Sequence, residues 1–183
     1  MTRVDIMANE RVLDDRHHLH EFQDFWRDQP VALVFLRHFG SAFALQQARE
    51  ISERYNEITA AGADVKFIGL GTPIQAFTFR QKARTRFTVL TTNDQTLYRT
   101  MGLGRSSAGS IGLQNLPAFV RLLRAGVYPA QRTGDNAQLG GVFVVAAGGR
   151  EVLWDFRARN SSDIAPASDI VHALLAAGRL TPG

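Results

Sequence analysis

Within eight residues, RHFGSAFA at 37–44, this chain places an arginine, an imidazole and a hydroxyl close together. His38 precedes Ser41 by three residues, so Ser41 could be an activated nucleophile with His38 as its base. That chemistry requires hydrogen-bond contact between the two and a third group that orients the ring. No acidic residue evidently supplies the third part, and the plainer reading makes Ser41 a helix N-cap worth roughly 0.5–2 kcal/mol. A helix start also presents unpaired N–H groups and the positive end of a macrodipole. The spot therefore suits a negative charge.

Three further groups invite chemistry and give weaker readings. His17, His18 and His20 suggest a metal, but they do not match zinc-ligand spacings and lead into an apolar run. They are read as part of an amphipathic turn with Leu19, Phe22, Phe25 and Trp26, and no metal is expected. Arg80, Lys82, Arg84 and Arg86 form a basic run without interleaved aromatics poised for stacking, so a solvated helix face is expected and no nucleic acid. The stretch GRSSAGSIG at 104–112 fits neither a Walker loop nor a dinucleotide fingerprint. It reads as a surface loop, and no cofactor is expected.

The elements that must position these groups alternate along the chain. Residues 31–36, VALVFL, are apolar without alternation, as in a central strand covered on both faces. Gly40 permits a turn, and a helix follows with Ala44, Ala48, Ile51, Tyr55 and Ile58 on its inner face, ending near Gly62. A second strand is predicted over 65–70, then a helix opened by Thr72 and Pro73 that runs to Ala83. Residues 87–90 form a third strand, and Asn93 or Asp94 caps a helix carrying Leu97, Tyr98 and Met101. Asn115 and Pro117 start another, with Leu116, Phe119, Val120, Leu123 and Val127 inward. Residues 128–138 are irregular. Strand 142–146 turns at Gly148 and Gly149 into an antiparallel edge strand, 151–156. Pro166 begins the last helix, which buries Ile170, Val171, Leu174 and Leu175, leaves His172 without a special role and ends at Gly178. Ahead of all this, residues 1–15 suggest short edge strands with Val4 and Ile6, or Val12 and Leu13, inward.

With 183 residues and 45% hydrophobic content, a single domain spanning 1–183 is expected, with residues 1–30 as an N-terminal extension packed on it. The net charge of +4 is too mild to imply nucleic acid by itself. The chain has no cysteine, which excludes disulfides, thiolate metal sites and thiol catalysis. No apolar run has the roughly 18 residues of a membrane span, and the first residues lack a signal-peptide core. No membrane partner and a cytoplasmic location are expected.

Residues 37–44 resemble the Phe-Leu-Arg-x-x-Gly-Cys-x-x-Cys signature of peroxiredoxin-like proteins of the AhpC/TSA group, in the branch that includes prostamide/prostaglandin F synthases. LYRTMGL at 97–103, QLGGVFVV at 138–145 and REVLWDFRARNSSD at 150–163 agree with it. The resemblance implies an α/β, thioredoxin-like fold: a mixed central sheet flanked by helices on both faces, with peroxiredoxin-like insertions. It also implies that Ser41 and Ala44 occupy the two cysteine positions. Ligands in such sheets collect beyond the carboxyl ends of the strands. The implied ligand-binding set is Arg37, Phe39, Gly40, Phe43, Leu139, Gly140 and Arg157, with Ser41 and His38 as catalytic candidates and Arg159 nearby. Gly140 and Gly141 precede the strand where thioredoxin-fold proteins place a cis-proline, and could let backbone approach a ligand closely.

A serine cannot enter the sulfenic-acid cycle of a peroxidase. The expectation is a cysteine-free protein that binds a small, partly apolar molecule above Ser41, leaving open a non-redox step of isomerase, cyclase or lyase type. Two alternatives stand beside it. One is a thiol oxidoreductase whose peroxidatic cysteine was changed to Ser41, and the other is a non-catalytic scaffold or regulatory protein. A homodimer is left open.

Overall fold

The computed structural model describes residues 3–106, 116–127 and 137–179. Seven strands form one mixed sheet in the order β2-β1-β5-β4-β3-β6-β7. They are β1 Arg11–Asp14, β2 Leu19–Glu21, β3 Val31–Phe35, β4 Asp64–Leu70, β5 Thr88–Thr92, β6 Gly141–Val145 and β7 Val152–Arg157. β3 lies between β4, to which it is parallel, and β6, to which it is antiparallel. The strand expected at the centre is thus interior, and β4 holds the middle place. β7 forms one edge.

The unbroken apolar run of β3 has a direct cause, because both faces of the sheet are covered. Val31, Leu33 and Phe35 pack with residues of α1 (Arg3–Met7), α2 (Gln23–Trp26) and α6 (Thr96–Thr100), among them Val4, Trp26 and Tyr98. Ala32 and Val34 pack with residues of α3 (Ala42–Glu53), α5 (Pro73–Ala83) and α8 (Ala167–Arg179) on the opposite face. Helix α4 (Tyr55–Ala60) and helix α7 (Leu116–Arg124) join this second layer through Ile58 and Leu122. Tyr98, on the first face, ties the ends of β3 and β4, its hydroxyl lying 2.7 Å from the Leu36 carbonyl and 3.1 Å from that of Ile68, both acceptors. Complete burial raises its pKa beyond the usual phenol range.

Several local expectations hold. Thr72 closes a capping box with Gln75 ahead of Pro73, and Gly62 takes the left-handed conformation after α4. Others are corrected. The single helix predicted from residue 42 to Ile58 is two, broken at Arg54. Residues 3–7 form a helix, because Val4 and Met7 lie one turn apart and share a buried face while Ile6 points out. Of the pair Val12 and Leu13, Val12 is buried in β1 and Leu13 half-buried. The turn expected around Leu19 is strand β2, with Leu19 exposed; Phe22, Phe25 and Trp26 are buried through α2 instead. In α7 it is Leu122 that turns inward and Val120 that is exposed. Gly178 does not end α8, which runs to Arg179; a Cβ there would collide with the Ala61 carbonyl, so glycine lets α8 pass close to the end of α4. Residues 107–115 and 128–136, and with them most of the glycine-serine loop, Asn115 and the irregular segment, lie outside the described residues.

Candidate functional site

Strand β3 ends by feeding a turn that starts α3, and Ser41 is the N-cap, with extended backbone at φ −75° and ψ 123°. Its Oγ accepts the Ala44 N–H at 3.3 Å, and its carbonyl accepts the Leu45 N–H at 3.0 Å. The Ser41 N–H donates to the His38 carbonyl at 3.1 Å, and the His38 Nδ1 accepts the Gly40 N–H at 3.2 Å. These bonds tie the turn to itself. Ser41 Oγ and His38 Nδ1 each accept a backbone N–H, the Ser41 bond being that of a helix cap.

All residues from 37 to 44 are buried. Phe39 covers the β4 exit: a Cβ on Gly69 would stand 2.5 Å from its ring and one on Gly71 3.1 Å, and its ring lies 5.5 Å from that of Phe79 between centroids. Phe43 packs into the core of the α3 face. Arg37 is buried too, its guanidinium donating to the carbonyls of Gln138 at 3.3 Å and Ser161 at 3.4 Å. Burial lowers its pKa from the usual guanidinium value. The arginine straps two distant chain segments to the end of β3.

Leu139 and Gly140 complete the cluster, and the backbone of Gly140 runs beside Phe35 and Arg37. A Cβ on Gly140 would stand 2.5 Å from the Phe35 carbonyl oxygen, and one on Gly141 2.7 Å from that of Phe156. The close approach these glycines allow is therefore between strands. What remains open beside Ala44, Gln47 and Gly140 is a cavity of about 20 Å³, room for roughly one water.

The structure thus brings together Arg37, His38, Phe39, Gly40, Ser41, Phe43, Leu139 and Gly140. It does not bring Arg157 to them. That residue stands at the same end of the sheet, opposite Gly141, but its guanidinium lies 5.0 Å from the Phe143 ring on the other face. It donates to the Met101 carbonyl and pairs with Asp155. Arg159 is exposed and pairs with Asp163.

Two polar residues of this region escape a sequence reading focused on the turn. Gln47, buried, donates through Nε2 to the Ala165 carbonyl at 3.1 Å. Gln138 donates to the carbonyls of Gly104 and Leu139, both at 3.0 Å, while its own carbonyl receives Arg37. Spacing could have found the first, since position 47 falls on the same helical stripe as Ala44, Ala48 and Ile51. Away from the turn, His18 Nδ1 and His20 Nε2 each lie 3.1 Å from Asp14 Oδ2. Burial raises the Asp14 pKa, but hydrogen bonds from the His18 and Arg16 backbone and both imidazoles outweigh it and hold the value at about 2. Among the described residues, no group of three or more His, Asp or Glu side chains gathers as a metal site.

Residues 50–160 match the AhpC/TSA antioxidant enzyme family. The chain belongs to this family. Its relatives include the prostamide/prostaglandin F synthase of Salmo salar, 31% identical over 84% of this chain and 78% of that protein. The peroxiredoxin-like 2A of Danio rerio is 25% identical over 93% and 80%. Among solved structures, peroxidoxin BcpB from Mycobacterium tuberculosis superposes with a TM-score of 0.66, covering 92% of each chain at 16% identity, a likeness of fold. The fold is thioredoxin-like, a mixed sheet with helices on both faces. The family match begins beyond Ser41, so it rests on the body of the domain and not on the turn. With no cysteine in the sequence, the thiol cycle of a peroxidase has no reacting atom here. Among the described residues, no helix is long and apolar enough to cross a membrane.

Proposed function

We propose that this member of the AhpC/TSA family works without thiol chemistry and acts by binding a small, partly apolar molecule. The observation that carries the reading is the cap itself: at Ser41, Oγ is committed to the Ala44 N–H inside a buried turn. A hydroxyl so placed stabilises a helix and offers no leaving group or oxidisable atom. Relatives named prostamide/prostaglandin F synthase support a role on a small organic molecule. Arg37, Phe39, Gly40, Phe43, Leu139 and Gly140 remain the proposed mouth around Ser41. Entry there requires the buried turn to open, since the residual cavity beside Ala44 and Gly140 holds about one water.

Two exposed apolar residues favour a second reading, a scaffold that binds another protein. Ile74 is 71% and Phe77 48% exposed on α5, which starts at the same end of the sheet as the Ser41 turn. A ligand-observed NMR screen with neutral, anionic and cationic apolar fragments separates the two, run beside a peroxide-consumption assay with dithiothreitol as reductant. The binding reading expects at least one fragment class to bind at millimolar or lower Kd with no peroxide consumed. Absence of any binder overturns it and leaves the scaffold.

A further inference from the structure

An open, largely apolar hollow lies away from Ser41, between β7 and α8. It has a volume of about 560 Å³, within the usual range for small-molecule sites. Its origin is a register irregularity. Val145 pairs with Val152 and Val144 with Trp154, so Leu153 is an extra residue in β7. A bulge of this kind re-aims side chains. Leu153 and Trp154, adjacent in sequence, consequently pack toward the same layer, while Val152 faces the other. Opposite them, α8 sends Ile170, Val171 and Leu174 into the core and presents the small side chains of Ala173 and Ala176 to the hollow. Two large residues against alanines leave space that neither side fills.

The polar groups on this wall make few bonds within the protein. Among the described residues, the Trp154 indole N–H has no acceptor and the His172 ring has no hydrogen-bond partner. Asp169 receives only the Ser168 hydroxyl, at 3.2 Å, and has no cationic partner among the described residues. A carboxylate without a counter-ion beside a half-buried indole and an apolar floor is complementary to one kind of ligand.

We infer that the hollow between β7 and α8 binds a small apolar molecule carrying an ammonium group, its body against Leu153, Ala173 and Ala176 and its charge between Asp169 and Trp154. This rests on the binding reading above and gives it a place and a ligand class. The competing view treats Asp169 as an ordinary acid in the first turn of α8, where it complements the helix dipole and nothing more.

The test uses two probes of similar shape and opposite charge, 2-phenylethylamine and 3-phenylpropionate. Binding is read from Trp154 fluorescence and from amide shifts; Trp26 is buried on the other face of the sheet, so a Trp154→Phe control isolates the signal. The amine is expected to bind in the millimolar range or tighter, with shifts centred on residues 168–177, and the carboxylate at least about fivefold more weakly, the size of a partly exposed ion pair. Asp169→Asn should weaken the amine about three- to fivefold. Ala176→Leu should abolish binding by filling the floor while leaving the melting temperature in place. Equal binding of both probes, or an Asp169→Asn variant that melts lower yet binds the amine unchanged, overturns the inference. If fragments bind but shift residues 37–44 instead, the place is wrong and the binding reading stands. If none binds anywhere, the binding reading falls as well.

Discussion

The turn at Ser41 and the hollow beside Trp154 are both flanked by helices on the same face of the sheet, yet they are built on opposite terms. The turn holds the residue types that suggest chemistry and has closed over them: its hydroxyl caps a helix, its arginine ties down two loops and its phenylalanine lies on bare backbone. The hollow is lined by residues that a motif search passes over; it keeps its space, and among the described residues it leaves the Trp154 indole and the His172 ring without hydrogen-bond partners and Asp169 with the Ser168 hydroxyl alone. Reactive residue types mark a site only when access and unsatisfied bonding capacity come with them.

Matched insertions of bulk put the largest strain on this contrast. Gly140→Ala drives a Cβ to 2.5 Å from the Phe35 carbonyl, a backbone atom that cannot swing aside. A loss of about 3 kcal/mol is expected, lowering the melting temperature by about 6–12 °C in calorimetry. Ala176→Leu adds more volume to the hollow and should change stability by no more than about 0.5 kcal/mol. Equal costs at the two positions would erase the distinction.

Removal of the cap is a smaller perturbation. Ser41→Ala should cost ~1 kcal/mol in urea unfolding, because the Ala44 N–H loses its acceptor, whereas Ser41→Asp should keep most of the stability. A neutral Ser41→Ala would mean that the hydroxyl is not a structural cap and would reopen its use in chemistry.

A third region supplies a control. Asp14 is held at about 2 when folded, against 3.8 for the free side chain, so the folded state binds its proton less readily. Its contribution is complete above about pH 3.8 and is lost as pH falls through about 2. Asp14→Asn should flatten stability against pH across that window in urea titrations and leave both the turn and the hollow unchanged. An acid limb identical to wild type would contradict the bonding seen around this carboxylate.

Much of the fold was legible in the sequence wherever one physical signal acted alone. The unalternating run of β3, the Thr72 and Pro73 start of α5 and the Gly148–Gly149 turn each reflect a local rule that packing did not override. The N-terminal region was not legible, because its apolar residues offer a strand face through Val4 and Ile6 and a helix face through Val4 and Met7 until a neighbour decides. At the turn, sequence gave the residues and not their state: nothing in RHFG indicates that Arg37 spends its charge on the carbonyls of residues 138 and 161, over a hundred positions away. The hollow was invisible for a related reason. A one-residue bulge at Leu153 changes which side chains share a face without leaving any mark on composition or periodicity.

The most direct test of the closed turn is the alkylation rate of a Ser41→Cys variant by iodoacetamide across pH. The helix terminus should bring the thiol midpoint below the usual ~8.5, while burial holds the plateau rate at least about tenfold under that of the urea-unfolded chain. A native plateau as fast as the unfolded one would show an open, reactive site, and the account of a sealed cap would be wrong.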